Sequence, residues 1–295
     1  QNYHLSYPSG AFTSLGGDVS YVGTAYTFQA RSYSYEAWAW GKAESGELAQ
    51  NNVVRYSSPV QIPGTNWNSA VMGGRQHAMA IKGDNTLWVW GKNDNGQLGQ
   101  NQGPAQLGST SSPVQVPGSW SSAKAGQYVS LGVKTNGTLW AWGQNLNGQL
   151  GQNQAPAQLA RISSPVQIPG TTWVSVNGYY SVTAIKTDGT LWAWGSNSYG
   201  ELGQNQAPAH KSSPCQIPGT TWRSISSGSG SKLATKTDGT LWAWGNNYFG
   251  ELGVNNKTKY SSPVQIPGTS WSSNVAFVGS VGMAIRTDGT LWVMG

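Results

Sequence analysis

The sixteen tryptophans of this 295-residue chain all fall at repeated positions. Eleven lie in L-W-A-W-G or a close variant: Trp38, Trp40, Trp88, Trp90, Trp140, Trp142, Trp192, Trp194, Trp242, Trp244 and Trp292. Five follow P-G-(T)-x-W: Trp67, Trp120, Trp173, Trp222 and Trp271. The second position of the paired motif recurs at Trp40, Trp90, Trp142, Trp194, Trp244 and Met294, at spacings of 50, 52, 52, 50 and 50. A period near fifty is the mark of a repeat architecture, in which each unit covers its apolar face only by stacking on the next. The eleven motif tryptophans are therefore expected in the structural core. Residues repeated in this way build a scaffold, so function has to be sought where the copies disagree.

The copy from Ser163 to Gly203 shows what one repeat folds into. Val166–Gly170 reads as a short strand closed by Pro-Gly, and Trp173–Val176 as a second strand ending at Asn177-Gly178. Ser181–Lys186 is a third strand. Thr187-Asp-Gly-Thr190 then makes a hairpin, because Gly supplies the positive φ and Asp bonds its own backbone. Leu191–Trp194 is apolar on both faces and needs cover on both sides. Four strands per fifty residues and almost no helix-period segment predict an all-β chain: one β-propeller domain over 1–295, with six four-stranded blades.

The chain ends sharpen that expectation. Five S-S-P-V-Q-(I/V)-P-G strands begin at Ser57, Ser111, Ser163, Ser212 and Ser261, the fourth with Cys215 in place of Val. A degenerate sixth stands at Leu5–Gly10, while the sequence stops directly after Leu291-Trp-Val-Met-Gly295. The N-terminal strand is expected to pair with the last blade beside Thr290–Met294, closing the ring and removing its open edges. The first copy is the most divergent, with Val19 where a motif tryptophan belongs. The opening Gln is read as a sign of a processed or excised product.

Bulk composition narrows the function. The net charge is +6, but only 9% of residues are charged. Lys82, Lys134, Lys186, Lys236 and Arg286 share one repeat position just before turns bearing Asp84, Asp188, Asp238 and Asp288, so the signs are expected to alternate and largely cancel. No aromatic–basic stripe of the single-strand-binding kind is visible, and nucleic acid is not an expected partner. Cys215 is the single cysteine, which excludes an internal disulfide framework and a multi-cysteine zinc site. It is expected to act as a small buried hydrophobe. Val275–Ile285 is too short to span a bilayer, so no membrane insertion is expected.

The motif G-x-N-x-x-G-(Q/E)-L-G stands at Gly91–Gly99, Gly143–Gly151, Gly195–Gly203 and Gly245–Gly253, with a looser copy at Gly41–Ala49. Together with the T-D-G-T and W-x-W-G segments it resembles the signature of the regulator of chromosome condensation repeats, over the whole chain. That resemblance implies a propeller; such propellers usually have seven blades, and six repeats depart from the pattern. It also implies likeness to a nucleotide exchange factor acting on a nuclear GTPase, and to secreted bacterial relatives that plug an enzyme with one propeller face. Tryptophan-rich bacterial and phage versions look closest in style. The family's Gly-x-x-His turn survives only as Gly74-Arg-Gln-His77.

Chemistry is sparse. Four of the six aspartates serve hairpin turns, and Glu47, Glu201 and Glu251 belong to the signature motif. His4, His77 and His210 lie in different repeats without metal-ligand spacing. No catalytic residue, cofactor site or metal site is expected. Asn93, Asn145, Asn197 and Asn247 are read as loop-stabilising. The disagreeing positions fall in two places. One is the turn carrying Arg75, Gln76 and His77, then Tyr128, then Tyr179 and Tyr180; the other is the variable part of the signature loop, with Tyr199, Tyr248 and Phe249. Aromatics on a rigid frame make good contacts at small entropy cost, although they also serve to pad the rims between blades. The inserts Gln100–Ala105, Gln152–Ala157 and Gln204–Ala209 are read either as ordered protruding loops or as a trace of duplication.

The sequence thus points to a non-enzymatic interaction module, secreted or on a virion surface, structural or serving attachment. It would bind protein or glycan through one loop face, with assembly into a larger particle in view. The alternative is a regulator or inhibitor that docks a propeller face on a GTPase or an enzyme.

Overall fold

The computed structural model describes residues 35–68, 72–154 and 159–295, together with the strands Asn2–Leu5 and Tyr26–Gln29. The chain divides into two compact units, 1–35 and 36–295. In the first unit Asn2–Leu5 pairs antiparallel with Tyr26–Gln29. Residues 6–10 and Val19, on which the expected N-terminal clasp turns, lie outside the described residues.

Every described element of the second unit is a strand. A first sheet comprises Trp38–Gly41 and Tyr56–Gln61. The second is Met72–Gly73, His77–Ile81, Leu87–Lys92 and Ser109–Val116. The third is Trp120–Ala125, Val129–Lys134, Leu139–Gln144 and Arg161–Gln167. The fourth is Trp173–Gly178, Ser181–Lys186, Leu191–Gly195 and Lys211–Ile217. The fifth is Trp222–Ser227, Ser231–Lys236, Leu241–Gly245 and Tyr260–Ile266. The sixth has three strands, Trp271–Val278, Val281–Arg286 and Leu291–Met294. All pairings are antiparallel and strands follow one another in chain order, as short hairpin connections require.

The hairpins form as their sequence dictates. Asp188 Oδ1 accepts the Thr190 amide at 2.9 Å and its hydroxyl at 2.7 Å, and Gly189 takes φ +75°. The same Thr190 Oγ1 then accepts Trp192 Nε1 at 2.9 Å, so the turn also orients the first indole of the next strand. Asp84, Asp238 and Asp288 repeat the arrangement, and each of these carboxyls is held below its ordinary pKa chiefly by the threonine hydroxyl.

The lysines at the shared repeat position do not cancel against these aspartates through ion pairs. Lys186 Nζ sits 4.7 Å from the Trp173 ring centre and 4.5 Å from that of Trp192, between two indole faces. Lys82, Lys134, Lys236 and Arg286 are sandwiched in the same way. The indole quadrupole compensates the cation, worth about 0.5–2 kcal/mol per site depending on its exposure. In the third to sixth sheets each sandwich ties the first, second and third strands together, while in the second Trp67 joins through an isolated bridge to Lys82.

The apolar cores lie between sheets. One cluster joins Leu131, Val133, Leu139 and Ile168 of the third sheet to Val176, Val182, Ala184 and Trp194 of the fourth. Trp90, Trp142, Trp194 and Trp244 are fully buried. Their Nε1 atoms donate to the carbonyls of Glu47, Gln97, Gln149 and Glu201 in the signature loop of the preceding sheet, at 2.8 to 3.0 Å. The second motif tryptophan is thus a bolt between neighbouring sheets. Its partner loop comes close enough that a Cβ on Gly96 would lie 2.7 Å from Ser163 Cα on the next sheet, which excludes any side chain there.

Trp38, Trp40 and Trp292 depart from the expected core role: they are 50%, 61% and 46% exposed. All three stand on the incomplete terminal sheets, where the neighbour that covers their counterparts is absent among the described residues. Trp88, Trp140, Trp192 and Trp242 are half-buried under their cations.

Candidate functional site

The second strand of each sheet starts, and the third ends, at one edge. That geometry brings the two variable regions of the sequence to the same end of the sheets. Backbone hydrogen bonds join them directly: Lys92 N to Gln76 O, Gln144 N to Tyr128 O, Ser196 N to Tyr180 O and Asn246 N to Gly230 O. The T-D-G-T hairpins occupy the opposite end. One end of the unit therefore carries turns and signature loops, and the other carries the Trp–cation–Trp sandwiches.

The signature loops are rigid because their recurring polar residues are used internally. Asn145 Oδ1 accepts Leu150 N at 2.9 Å while its Nδ2 donates to Leu159 O at 2.8 Å, and Asn93, Asn197 and Asn247 do the same in their loops. Glu201 and Glu251, both buried, accept the amides of Tyr199 and Phe249 at 2.7 and 2.8 Å. The carboxylates thus hold the aromatic side chains outward. The Gln-Asn of the inserts is consumed in the same frame: Asn101 N donates to Ser163 O, and Gln100 Nε2 donates to Leu98 O and Gln115 O. Asn51 makes the corresponding bond to Ser111 O although its repeat lacks the insert, so this role is not peculiar to three copies.

Character changes along this end. On the first two sheets Glu44 is held by Lys42 at 2.6 Å and by Arg55, and Lys92 pairs with Asp94 at 2.7 Å. These are surface pairs of small energetic worth. At the same loop position the third sheet presents Leu146 and the fifth Tyr248, both exposed. Tyr248 and Phe249 stack edge to face at 4.8 Å, and Tyr199 lies against Gly230 with Lys259 Nζ 4.9 Å from its ring centre. Nearer the first-strand ends, Arg75 Nη1 donates to Tyr128 Oη at 3.2 Å, and Tyr179 packs edge to face on Tyr180 at 5.0 Å. Burial pushes the Tyr179 hydroxyl's pKa up.

His77 does not belong to this surface. It is buried, with Nε2 2.9 Å from Ser130 Oγ on the next sheet, and Ser130 Oγ in turn donates to Gln97 O at 2.7 Å. Burial lowers its pKa to about 4, so it is a neutral inter-sheet link rather than a contact residue. Gln76 is half-buried and lends its carbonyl to Lys92. Arg75, Tyr128, Tyr179 and Tyr180 form one cluster; Tyr199, Tyr248 and Phe249 stand on the signature loops of the fourth and fifth sheets.

Two features escaped the sequence. First, the turns after the first strands of the second to sixth sheets enclose a cavity of about 390 Å³, lined by Arg75, Lys124, Tyr179, Ser229, Phe277 and Val278 among others. Lys124 and Phe277 fall at no motif position, so periodicity could not flag them. Second, Lys232 is buried between the fourth and fifth sheets, where Nζ donates to Ser181 O at 3.4 Å. Burial lowers its pKa to about 8, opposed by the charge of Glu201. It occupies the position of Ser130 in the third sheet, and Glu201 that of Gln97.

Cys215 is half-buried and donates Sγ–H to Ala193 O at 2.9 Å; burial raises its pKa. Among the described residues no group of three or more His, Cys, Asp or Glu is placed to hold a metal ion. No helix among them is long and apolar enough to cross a membrane.

Comparison with known proteins agrees with this geometry. The model of the regulator of chromosome condensation (RCC1) repeat matches residues 84–133, 136–182, 188–234 and 238–281, more than half of the chain. Among curated relatives, the mitochondrial RCC1 domain-containing protein RUG3 of Arabidopsis thaliana is 27% identical over 60% of this chain and 41% of its own length. The RCC2 homolog of Danio rerio is 35% identical over 27% of this chain and 16% of its own length. The chain spans less than half the length of these curated relatives. Among solved structures, human WBSCR16 superposes with TM-score 0.75 at 18% identity, covering 92% of this chain and 78% of that one. Prp20p of Saccharomyces cerevisiae superposes with TM-score 0.72 at 21% identity, covering 87% and 65%. Those likenesses carry the propeller fold. With tandem RCC1 repeats, four-stranded blades and buried tryptophan bolts between them, the chain belongs to the regulator of chromosome condensation (RCC1) repeat family.

Proposed function

We propose that this chain is a non-enzymatic recognition module that binds a protein partner through the end bearing the turns and signature loops. The observation that carries the reading is a division of labour among the aromatics. The motif tryptophans of the complete sheets are buried or sandwiched, whereas Tyr199, Tyr248 and Phe249 stand outward on loops clamped by buried carboxylates. Rigid, exposed aromatics are the residues that most often dominate binding energy. A secreted or particle-borne setting is part of the proposal, supported by a surface whose polarity comes more from amides and hydroxyls than from charge.

A second reading, docking on a GTPase, draws on relatives. Prp20p has binding properties toward Gsp1p and histones, and a similar Caenorhabditis elegans protein is a homolog of the X-linked retinitis pigmentosa GTPase regulator. The same face would serve it.

The finer architecture we propose is a ring of six blades closed by the N-terminal segment. Gly46, Gly96, Gly148 and Gly200 each meet a serine of the next sheet's fourth strand, whereas nothing among the described residues lies within 4 Å of a Cβ on Gly250. Leu291, Trp292 and Val293 are exposed on the last strand. The degenerate repeat copy in the sequence at Leu5–Gly10, with two serines and the proline of that strand, supports this reading.

The functional test compares partner capture by the intact chain with capture by two triple variants. One is Tyr199→Ala, Tyr248→Ala, Phe249→Ala; the other is Thr187→Ala, Thr237→Ala, Thr287→Ala at the opposite end. A partner lost with the first and kept with the second supports the reading; the reverse pattern refutes it.

A further inference from the structure

We propose that the cavity enclosed by the turns after the first strands is a binding site for a carboxylate on an apolar stem, supplied by an acidic side chain of the partner. The proposal rests on the docking reading above and names its central contact. Five of the six sheets contribute to the cavity walls. Two cations, Arg75 and Lys124, line it, and no carboxylate does so among the described residues.

Lys124 is the telling residue. It stands on the first strand of the third sheet and is half-buried, and its ammonium has no hydrogen bond or ion pair among the described residues. Burial pushes its ammonium's pKa down, with no anion opposing that effect. A charge partly withdrawn from water without a partner is costly, and the fold retains it facing a cavity. Contrast Lys82, Lys134, Lys186 and Lys236, whose charges all rest on indole faces. Arg75 spends one donor on Tyr128 and keeps the rest of its fork for a ligand.

The remaining lining decides which anion. Phe277 and Val278 supply an apolar wall, and Ser229 adds an exposed hydroxyl. Inorganic phosphate has nothing to place on that wall, whereas an acidic side chain with an apolar neighbour fills both halves. A volume of about 390 Å³ falls within the ordinary range of ligand pockets and is small for anything larger than a few side chains. The cavity lies at the end that carries Tyr179 and the signature loops, so one partner segment would enter it while its surroundings meet the aromatics.

The test uses the full chain and two capped tripeptides, Gly-Glu-Phe and its amide twin Gly-Gln-Phe, titrated by calorimetry or NMR to roughly millimolar concentration, the affinity range of a few good contacts. The glutamate peptide is expected to bind about tenfold or more tightly than the glutamine peptide. Lys124→Met and Arg75→Gln should each remove that preference, while Tyr248→Ala leaves it intact. Arg75 is exposed, so Arg75→Gln reports even if Lys124→Met unfolds. Equal binding of the two peptides, no binding of either, or inorganic phosphate competing as well as the glutamate peptide would each overturn the proposal. Partner capture abolished by the aromatic triple variant, with no peptide preference, leaves the docking reading standing and the cavity assignment wrong. A peptide preference without face-dependent capture does the opposite.

Discussion

Trp142→Ala isolates what an inter-sheet bolt is worth. The indole is fully buried, packs at 5.8 Å and 58° on Trp120, and donates to Gln97 O at 2.8 Å. Truncating a buried tryptophan to alanine costs about 3–5 kcal/mol through lost transfer energy and the cavity left behind. The lost hydrogen bond adds little, because Gln97 O still accepts Ser130 Oγ at 2.7 Å and is not orphaned. Trp142→Phe keeps most of the packing and loses the donor, so it should cost about 1–2 kcal/mol. Tyr248→Ala, at an exposed loop position, should stay within about 0.5 kcal/mol. Urea unfolding followed by far-ultraviolet circular dichroism gives the three values, provided the slopes match the unmodified chain. A Trp142→Ala cost below about 1 kcal/mol, or equal to that of Tyr248→Ala, would refute the separation of frame from contact surface.

Other outcomes follow from single residues. His77 has its pKa lowered to about 4 by burial, so its neutral form contributes stability above pH 6.5. That contribution falls as pH drops through the interval from 6.5 to 4, by roughly 3 kcal/mol in all, and His77→Gln should flatten that limb of the unfolding profile. Lys232, with its pKa lowered to about 8, works at the other end: native protein binds fewer protons than unfolded between pH 8 and 10.5, so stability rises with pH there. Lys232→Met should remove that rise and stabilise the chain by up to roughly 3 kcal/mol below pH 8, read by denaturant midpoint. Gly96→Ala forces a methyl onto Ser163 at φ +80°, and should cost several kcal/mol. Gly250→Ala at φ +87° should cost as much if Leu5–Gly10 closes the ring; a cost of only about 1 kcal/mol, the backbone strain alone, would leave that edge open.

What the sequence disclosed was whatever repeats. Strand order, hairpins at Asp188 and its counterparts, and the loop-binding role of Asn145 all follow from motifs whose physics is local or one period away. The second motif tryptophans were legible as core, but their hydrogen bonds to the preceding loop were not, since nothing local shows which carbonyl lies above an indole. At the charged repeat position the sequence showed the alternation of sign but not the partners. The Lys186 ammonium lies between Trp173 and Trp192, and the Asp188 carboxylate accepts from Thr190 while still feeling the Lys186 charge. Trp38, Trp40 and Trp292 carry the motif but stand on sheets without a complete neighbour among the described residues, so motif membership alone overstated their burial.

The candidate contact residues fared according to the same rule. Arg75, Tyr128 and Tyr179 converge because their turns share one end of the sheets, which strand count and direction already implied. His77 stood among the candidate contact residues and is also readable as a turn-stabilising hydrogen-bonder; it is buried and meets Ser130 across a sheet boundary, a partner one period away that no local pattern names. Lys124, Phe277 and Lys232 occur once each and matter through neighbours about fifty residues away, beyond the reach of local pattern.

The central claim is that one end of the propeller meets a protein partner, and hydroxyl-radical footprinting of the chain bound to a captured partner tests that directly. Protection is expected at Tyr128, Tyr179, Tyr199, Tyr248 and Phe249, with the hairpins at Thr187–Thr190 and Thr237–Thr240 as reactive as in the free chain. Protection of those hairpins and of Lys186 or Lys236, with Tyr199, Tyr248 and Phe249 unchanged, would contradict it.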